Sequence, residues 1–367
     1  MGRPEIGLSA IGVVMKKILL ASSALLACSL PVATQAADLP LKASPVAYAP
    51  QATGYIEVYG GWASSRERGS QFSRTSNTEG STSASQLSSS IKGSVLGGAG
   101  RANLWLSPTM SMQVDAQAEG TSYDFRNFSS GTTASVLDYL IGGHVNWRDS
   151  NRGLIGAFAG IGDVNSTRHA VFGAEGQWYW NNFTLYGQAG YDTTLHSTQS
   201  GFLNSSEGVD MDAWFIRGTG RYYLTPNLRL EATGMYADGT TNLSSNGGCW
   251  NSSEGCTFNS SFKTWLWEAK AEWKFDNSPF AVFFKYRGSQ TNYNTSTVGV
   301  FCCDATSTSV SDIKVTDNRF LVGARMYLGE KSLLWNDRQG TTLDIISPLA
   351  IQSGPLYGLG SGISSSN

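Results

Sequence analysis

WLWEAKAEWKF, running from Trp265 to Phe275, decides the fold. Trp265, Trp267, Ala269, Ala271, Trp273 and Phe275 take every second position, and Glu268, Lys270, Glu272 and Lys274 lie between them. On a helix the two sets would spread around the whole circumference. On a strand, successive side chains point to opposite faces, so one face is wholly apolar and the other wholly charged.

The pattern recurs, and about twelve strands are expected between residues 53 and 328. Met110, Met112, Val114, Ala116 and Ala118 alternate with Gln113, Asp115, Gln117 and Glu119. Leu137, Tyr139, Ile141, Val145 and Trp147 alternate with Asp138, His144, Asn146 and Arg148. Later stretches set Trp214, Ile216 and Tyr222 against Arg217, Thr219 and Arg221, and Phe280, Val282 and Phe284 against Lys285 and Arg287. The last strand sets Phe320, Val322, Ala324, Met326 and Leu328 against Arg319 and Arg325. The stretch 154–161 is apolar on both faces and fits least well.

The connections alternate too. Ser107-Pro108-Thr109, Asp149 to Arg152, Asn181-Asn182, Thr225-Pro226-Asn227 and Asp276 to Pro279 read as tight turns. Between them stand longer polar stretches at 66–90, 124–135, 195–209, 238–261 and 290–315. Trp147, Trp180, Phe183, Tyr222, Trp273, Phe275 and Phe280 fall beside the turns, and Trp62, Trp214 and Trp265 beside the long connections. Two aromatic girdles, short turns at one end and long loops at the other describe an all-β transmembrane antiparallel up-and-down barrel. Its turns are periplasmic and its long loops extracellular. Closure is needed because an open sheet edge in hydrocarbon leaves backbone groups unpaired. A large secreted β-sandwich is the soluble alternative, and it explains neither the girdles nor the loop asymmetry.

Composition agrees. Charged residues make up 15% of 367, low against about 25% for soluble domains. The net charge of -2 leaves no basic footprint for nucleic acid. At the front, Lys16 and Lys17, an apolar run over 18–27 and Thr34-Gln35-Ala36 read as a signal peptide spanning residues 1–36, with Met15 a natural start. A lipoprotein site at Cys28 is the rival reading. Residues 37–52 are a periplasmic spacer, 53–328 the barrel, and 329–367 a flexible, Ser/Gly-rich periplasmic tail, long enough to fold into the lumen or touch peptidoglycan. Export implies an oxidising compartment, so Cys249, Cys256, Cys302 and Cys303 are candidate loop disulfides whose pairing stays open.

The start of the mature chain, AADLP, with a Pro-rich spacer and Gly54-Tyr55-Ile56-Glu57-Val58-Tyr59-Gly60-Gly61, resembles the Omp25/Omp31-like porin family of alphaproteobacterial outer-membrane barrels. Gly323, Met326 and Leu328 look like the terminal signal that barrel assembly machinery reads. The resemblance implies a barrel in the outer membrane, against lipid and lipopolysaccharide; it fixes no substrate. Small members of that family look eight-stranded, and this chain has more strands and a tail beyond them.

Inward charges follow from parity. The first seven strands offer Glu57, Asp115, Glu119, Asp138, Glu175 and Asp192 against Arg101 and Arg148. The last five offer Arg217, Arg221, Arg229, Lys270, Lys274, Lys285, Arg287, Arg319 and Arg325 against Glu231, Glu268 and Glu272. An acidic wall facing a basic wall would set a transverse field across a narrow porin-like channel for small hydrophilic solutes. The competing reading is a salt-bridge ladder that fills a lumen of this size, leaving a structural or adhesive barrel that acts through its loops. A third reading is a rim enzyme or metal site built on His169, His196 and Asp192 with Ser197. No sequence motif around Ser166 or Ser197 supports it, so no enzyme and no cofactor is expected. His144 reads as a satisfied lumen histidine.

Overall fold

In the computed structural model, residues 52–76, 81–124, 133–164, 167–197, 208–245, 256–301, 305–328 and 331–347 are described. Among them twelve antiparallel strands close into one barrel, each paired with its sequence neighbours and the last with the first. They are β1 (Ala52–Ser76), β2 (Ser81–Trp105), β3 (Met110–Asp124), β4 (Thr133–Asp149), β5 (Gly153–Val164) and β6 (Thr167–Trp180). The wall continues through β7 (Phe183–Ser197), β8 (Gly208–Thr225), β9 (Leu228–Ser245), β10 (Cys256–Lys274), β11 (Phe280–Phe301) and β12 (Ala305–Leu328). Closure between β1 and β12 runs from Gly54 opposite Leu328 to Ser76 opposite Thr306.

Parity holds along the opening stretch. Trp265, Trp267 and Trp273 are exposed on the outside, while Glu268, Glu272 and Lys274 are buried inside. Trp147, Trp180, Tyr222 and Phe280 at one end, and Trp62 and Trp214 at the other, are also exposed. Outward apolar residues fill the band between them, among them Val58, Leu96, Ile141, Ile216 and Phe284. A closed wall with this exterior is solvated by lipid. All five short turns stand where their sequence puts them, and Asn181 (φ 50°) and Asn277 (φ 53°) adopt the left-handed conformation that asparagine tolerates in turns.

Two expectations change. Of the connections expected as long loops, 66–90, 238–261 and 290–315 are largely paired strand among the described residues. The 66–90 stretch, for example, continues as β1 to Ser76 and returns from Ser81. Antiparallel pairing satisfies those backbone groups past the bilayer, where the Ser/Thr-rich sequence suits a solvated ladder. The second concerns the tail, expected on the periplasmic side and long enough to fold into the lumen or to touch peptidoglycan. Residues 331–347 lie inside the barrel, with Leu333, Leu343, Ile345 and Ser347 buried. Helix α1 (Leu333–Gln339) starts at Ser332, whose hydroxyl accepts from Trp335 N, and ends where Gly340 N donates to Asn336 O at 2.9 Å. Beyond it, 341–347 has no regular secondary structure and climbs the lumen from Thr341 beside Thr53 to Ser347 beside Asp192. Its apolar side chains bury surface that would otherwise face water, and its carbonyls meet donors on the wall.

The expected signal peptide, most of the spacer, Cys28 and the tail beyond Ser347 lie outside the described residues. So do Cys249, Cys302 and Cys303, while Cys256 opens β10 with its side chain undescribed.

Candidate functional site

The lumen is the site, and every inward charge named from sequence points into it. Two systems divide it. Toward the short-turn end, Glu268, Lys270 and Glu272 of the opening stretch are ion-paired. Arg325 joins Glu57 to Glu272, with 2.9 Å to the latter; Arg229 donates to Glu272 at 2.6 Å; Lys270 lies 3.4 Å from Glu231; and Arg287 donates to Glu268 at 3.1 Å. Lys285 is 3.9 Å from Glu268, and Lys274 donates to the Ser278 carbonyl of the adjoining turn. Arg319 pairs with Asp317 at 2.8 Å and also reaches Glu119, joining the basic wall to the acidic one. Asp138 lines the cavity described below. Charges taken out of water need partners, and these have them.

The second system holds the tail. Arg217 takes the Asp344 carboxylate with both terminal nitrogens, at 2.9 and 2.8 Å. Arg221 bonds Asp337 at 2.8 Å and Glu231 at 3.0 Å, and Thr184 donates to Asp337 at 2.6 Å. Burial pushes the Asp344 carboxyl up, but Arg217 and then Arg101 overcome it and hold the group below the usual carboxylate range. Burial likewise opposes ionisation of Asp337, and Arg221 with Arg229 wins. The basic wall is thus partly neutralised by two acids that come from outside the barrel wall.

Other wall residues bind the tail's main chain. Trp105 donates to Gln339 O at 2.6 Å, Arg148 to Gly340 O at 2.8 Å and Arg101 to Leu343 O at 3.0 Å. Gln113 uses both ends of its amide, accepting from Thr342 N and Leu343 N and donating to Leu343 O. Apolar seats complete the fit. Leu343 packs with Leu154 and Tyr186, and Ile345 with Leu140, Phe158, Val171, Phe215, Met235 and Leu266. A Cβ built on Gly142 would collide with Ile345 Cδ1, so the missing side chain makes room for the isoleucine. Beside the tail lies a cavity of about 110 Å³ lined by Glu57, Asp138, Lys285, Arg319, Asp344 and Ser347 among others. That volume suits a few waters.

Two of the three histidines have described partners. His144 lies between Glu175 (Nδ1, 2.8 Å) and Asp115 (Nε2, 3.1 Å), so both ring nitrogens face carboxylates. His169 Nδ1 is 2.8 Å from Asp192, which also accepts from Ser347 Oγ at 2.6 Å. Asp192 thus stands between Ser347 and His169, and the side chain of Ser197, the serine expected at this rim, is not described. His196 pairs in register with Arg168 at a bulge, and its side chain is not described. Among the described residues no three His, Cys, Asp or Glu side chains are grouped to hold a metal.

Sequence parity found the wall charges and missed Asp337 and Asp344, because it places strands only. Two signals for them exist: the apolar residues Leu333, Leu334, Trp335, Leu343, Ile345 and Ile346 in an otherwise polar tail, and the apolar inner face of β5.

No family model matches the chain, and no curated protein is similar to it. Among solved structures, it is similar to an outer membrane channel from Pseudomonas putida F1, 12% identical over 77% of this chain and 100% of that one, with a TM-score of 0.42. It is also similar to the outer membrane protease OmpT from Escherichia coli (14%, 74% and 97%, TM-score 0.29) and to a Pseudomonas aeruginosa FadL homologue (8%, 75% and 90%, TM-score 0.29). Likenesses at these values carry no argument about activity. The wall pairing and the apolar exterior stand by themselves: the chain is an outer-membrane β-barrel, and its lumen holds its own C-terminal segment.

Proposed function

We propose that the chain is a narrow, non-enzymatic outer-membrane channel for small hydrophilic solutes, closed in this conformation by residues 331–347. One observation carries the reading. The wall closes through β1 and β12 without the tail, and the tail is held by inward polar side chains such as Arg217, Arg221 and Gln113. Closure is therefore separable from the wall, and the groups that bind the tail are of the kind that line a selective pore. The porin-like start of the mature chain points the same way. The outward band meets lipid and lipopolysaccharide.

The second reading, a plugged structural barrel acting through its outer hairpins, is favoured by the ion pairs that Glu268, Lys270 and Glu272 of the opening stretch make inside the barrel. Single-channel conductance in a planar bilayer separates the two. The channel reading expects little current from the full chain, and steady, ion-selective current once residues 331–367 are removed. A barrel that inserts and stays silent in both forms would establish the structural reading.

A further inference from the structure

The tail is recognised as a peptide. Between Gly340 and Ile345, five of the six carbonyls accept from a wall side chain. Arg148 donates to Gly340 O at 2.8 Å, Arg221 to Thr342 O at 3.1 Å and Gln113 to Leu343 O at 2.7 Å; Gln188 donates to Asp344 O at 2.8 Å and Gln117 to Ile345 O at 3.3 Å. Gln113 Oε1 accepts from two consecutive amides, Thr342 N at 3.1 Å and Leu343 N at 3.2 Å. Main-chain bonds of this kind hold any extended peptide and give affinity without sequence; alternate side-chain pockets then supply specificity.

Three consecutive seats do so here. Leu154 and Tyr186 take Leu343, the Arg217 fork takes Asp344, and Leu140, Phe158 and Phe215 surround Ile345 above Gly142. The fork is held ready: Gln188 Oε1 accepts from Arg217 at 3.0 Å, and the guanidinium lies 5.5 Å from the Tyr186 ring centre. None of these wall groups takes part in closing the barrel. Together they make a lumen that reads an extended main chain and one acidic side chain between two aliphatic ones.

We propose that the lumen is a binding site for short extended peptides carrying an aspartate between aliphatic residues, and that residues 341–347 are its resident occupant. On the channel reading above, on which this rests, such peptides are the solutes that compete with the tail for passage. A small carboxylate would use the Arg217 fork alone and forgo the bonds to Gln113, Gln188 and Gln117.

The test uses the full chain with a specific protease site placed between Gly329 and Glu330, cut only after refolding so that the barrel forms around its tail. The probe is a fluorescent peptide GTTLDIIS, matching residues 340–347, with its Asp→Asn form and succinate as competitors. The expected result is one-to-one exchange of the labelled peptide into the cut barrel. The Asn form should bind at least ten-fold more weakly, and an Arg217→Met barrel should lose that preference. Equal binding of the two forms overturns the proposal. So does displacement by succinate at peptide concentrations, a tail that leaves with no peptide entering, or a cut tail that never exchanges. Conductance of the same cut barrel keeps the readings apart. Current without peptide binding defeats the peptide site alone; peptide exchange in an emptied barrel that carries no current defeats the channel alone.

Discussion

Asp344 and Arg217 form a two-pronged ion pair inside the barrel, one partner on the tail and the other on β8, with N–O distances of 2.9 and 2.8 Å. The guanidinium is almost wholly buried. A planar fork meeting a carboxylate in this way is geometrically demanding, and removing one partner leaves a charge without solvent. Asp344→Asn should weaken tail docking by about 3–5 kcal/mol, the usual result of breaking a buried pair. Arg217→Met in the same chain should recover part of that loss, since no orphan charge is then left. A double-mutant cycle read by protease accessibility of the tail checks both. Additive effects would mean that the pair contributes nothing to docking.

Acid should release the tail. Asp337 and Asp344 are held below their ordinary range when docked, Asp337 beside Arg221 and Asp344 beside Arg217. For a carboxyl with a lowered docked value, the contribution to docking is complete above the free value of about 3.9 and disappears as pH falls through the docked value. Conductance, or tail cleavage, should therefore stay constant from pH 8 to pH 5 and rise below about pH 4. The Asp337→Asn/Asp344→Asn chain should show the released state throughout. A midpoint near pH 6 would assign the switch to other groups.

Gly142 tests the seat of Ile345 without touching a charge. Any side chain there meets the isoleucine, and the Ala159 carbonyl lies close behind it. Gly142→Val should expel the 343–347 segment, and β4 and β5 must shift locally at the Gly142–Gly160 pair to clear the Ala159 carbonyl. Protease accessibility of the tail, with Ile345 kept, reports it: protected in the parent, cleaved in the variant. Equal protection would show that the wall yields to the added methyl groups.

Most of the wall was legible in the sequence. Alternation at Trp265–Phe275 and Phe320–Leu328, turn chemistry at Asn181 and Pro226, and the placing of the tryptophans each follow from a local rule with period two. The occupied lumen was not, because no local rule tells a tail which interior it will enter. Its trace was a misfit. Leu154 and Phe158 put apolar side chains where the barrel pattern asks for polar ones, and they are the residues that receive Leu343 and Ile345. The long polar stretches misled for the opposite reason. Serine and threonine read as loop, yet outside the bilayer a hairpin needs only paired backbones to continue, as β1 and β2 do between Ser64 and Thr75.

The opening stretch gives the sharpest test of the wall itself. Ala269 and Lys270 are neighbours in β10, midway between the Trp265 and Trp273 levels, and their side chains leave on opposite faces. Lys270 is 3.4 Å from Glu231 inside, whereas Ala269 is exposed outside. If the outer face meets hydrocarbon, Ala269→Arg should destabilise the folded barrel in a bilayer by about 2–4 kcal/mol, the usual effect of an arginine at the midplane. Thr240→Arg, outward on β9 well past the Tyr236 and Trp265 girdle, should be nearly neutral. Urea unfolding in lipid vesicles measures both. Lys270→Ala behaves differently: it leaves the outer face intact but removes a partner of Glu231, so its effect should appear as weaker lumen pairing and altered ion selectivity in the emptied channel, with little change in insertion. Equal tolerance of arginine at 269 and 240 would mean that the Trp/Ala face does not lie in lipid.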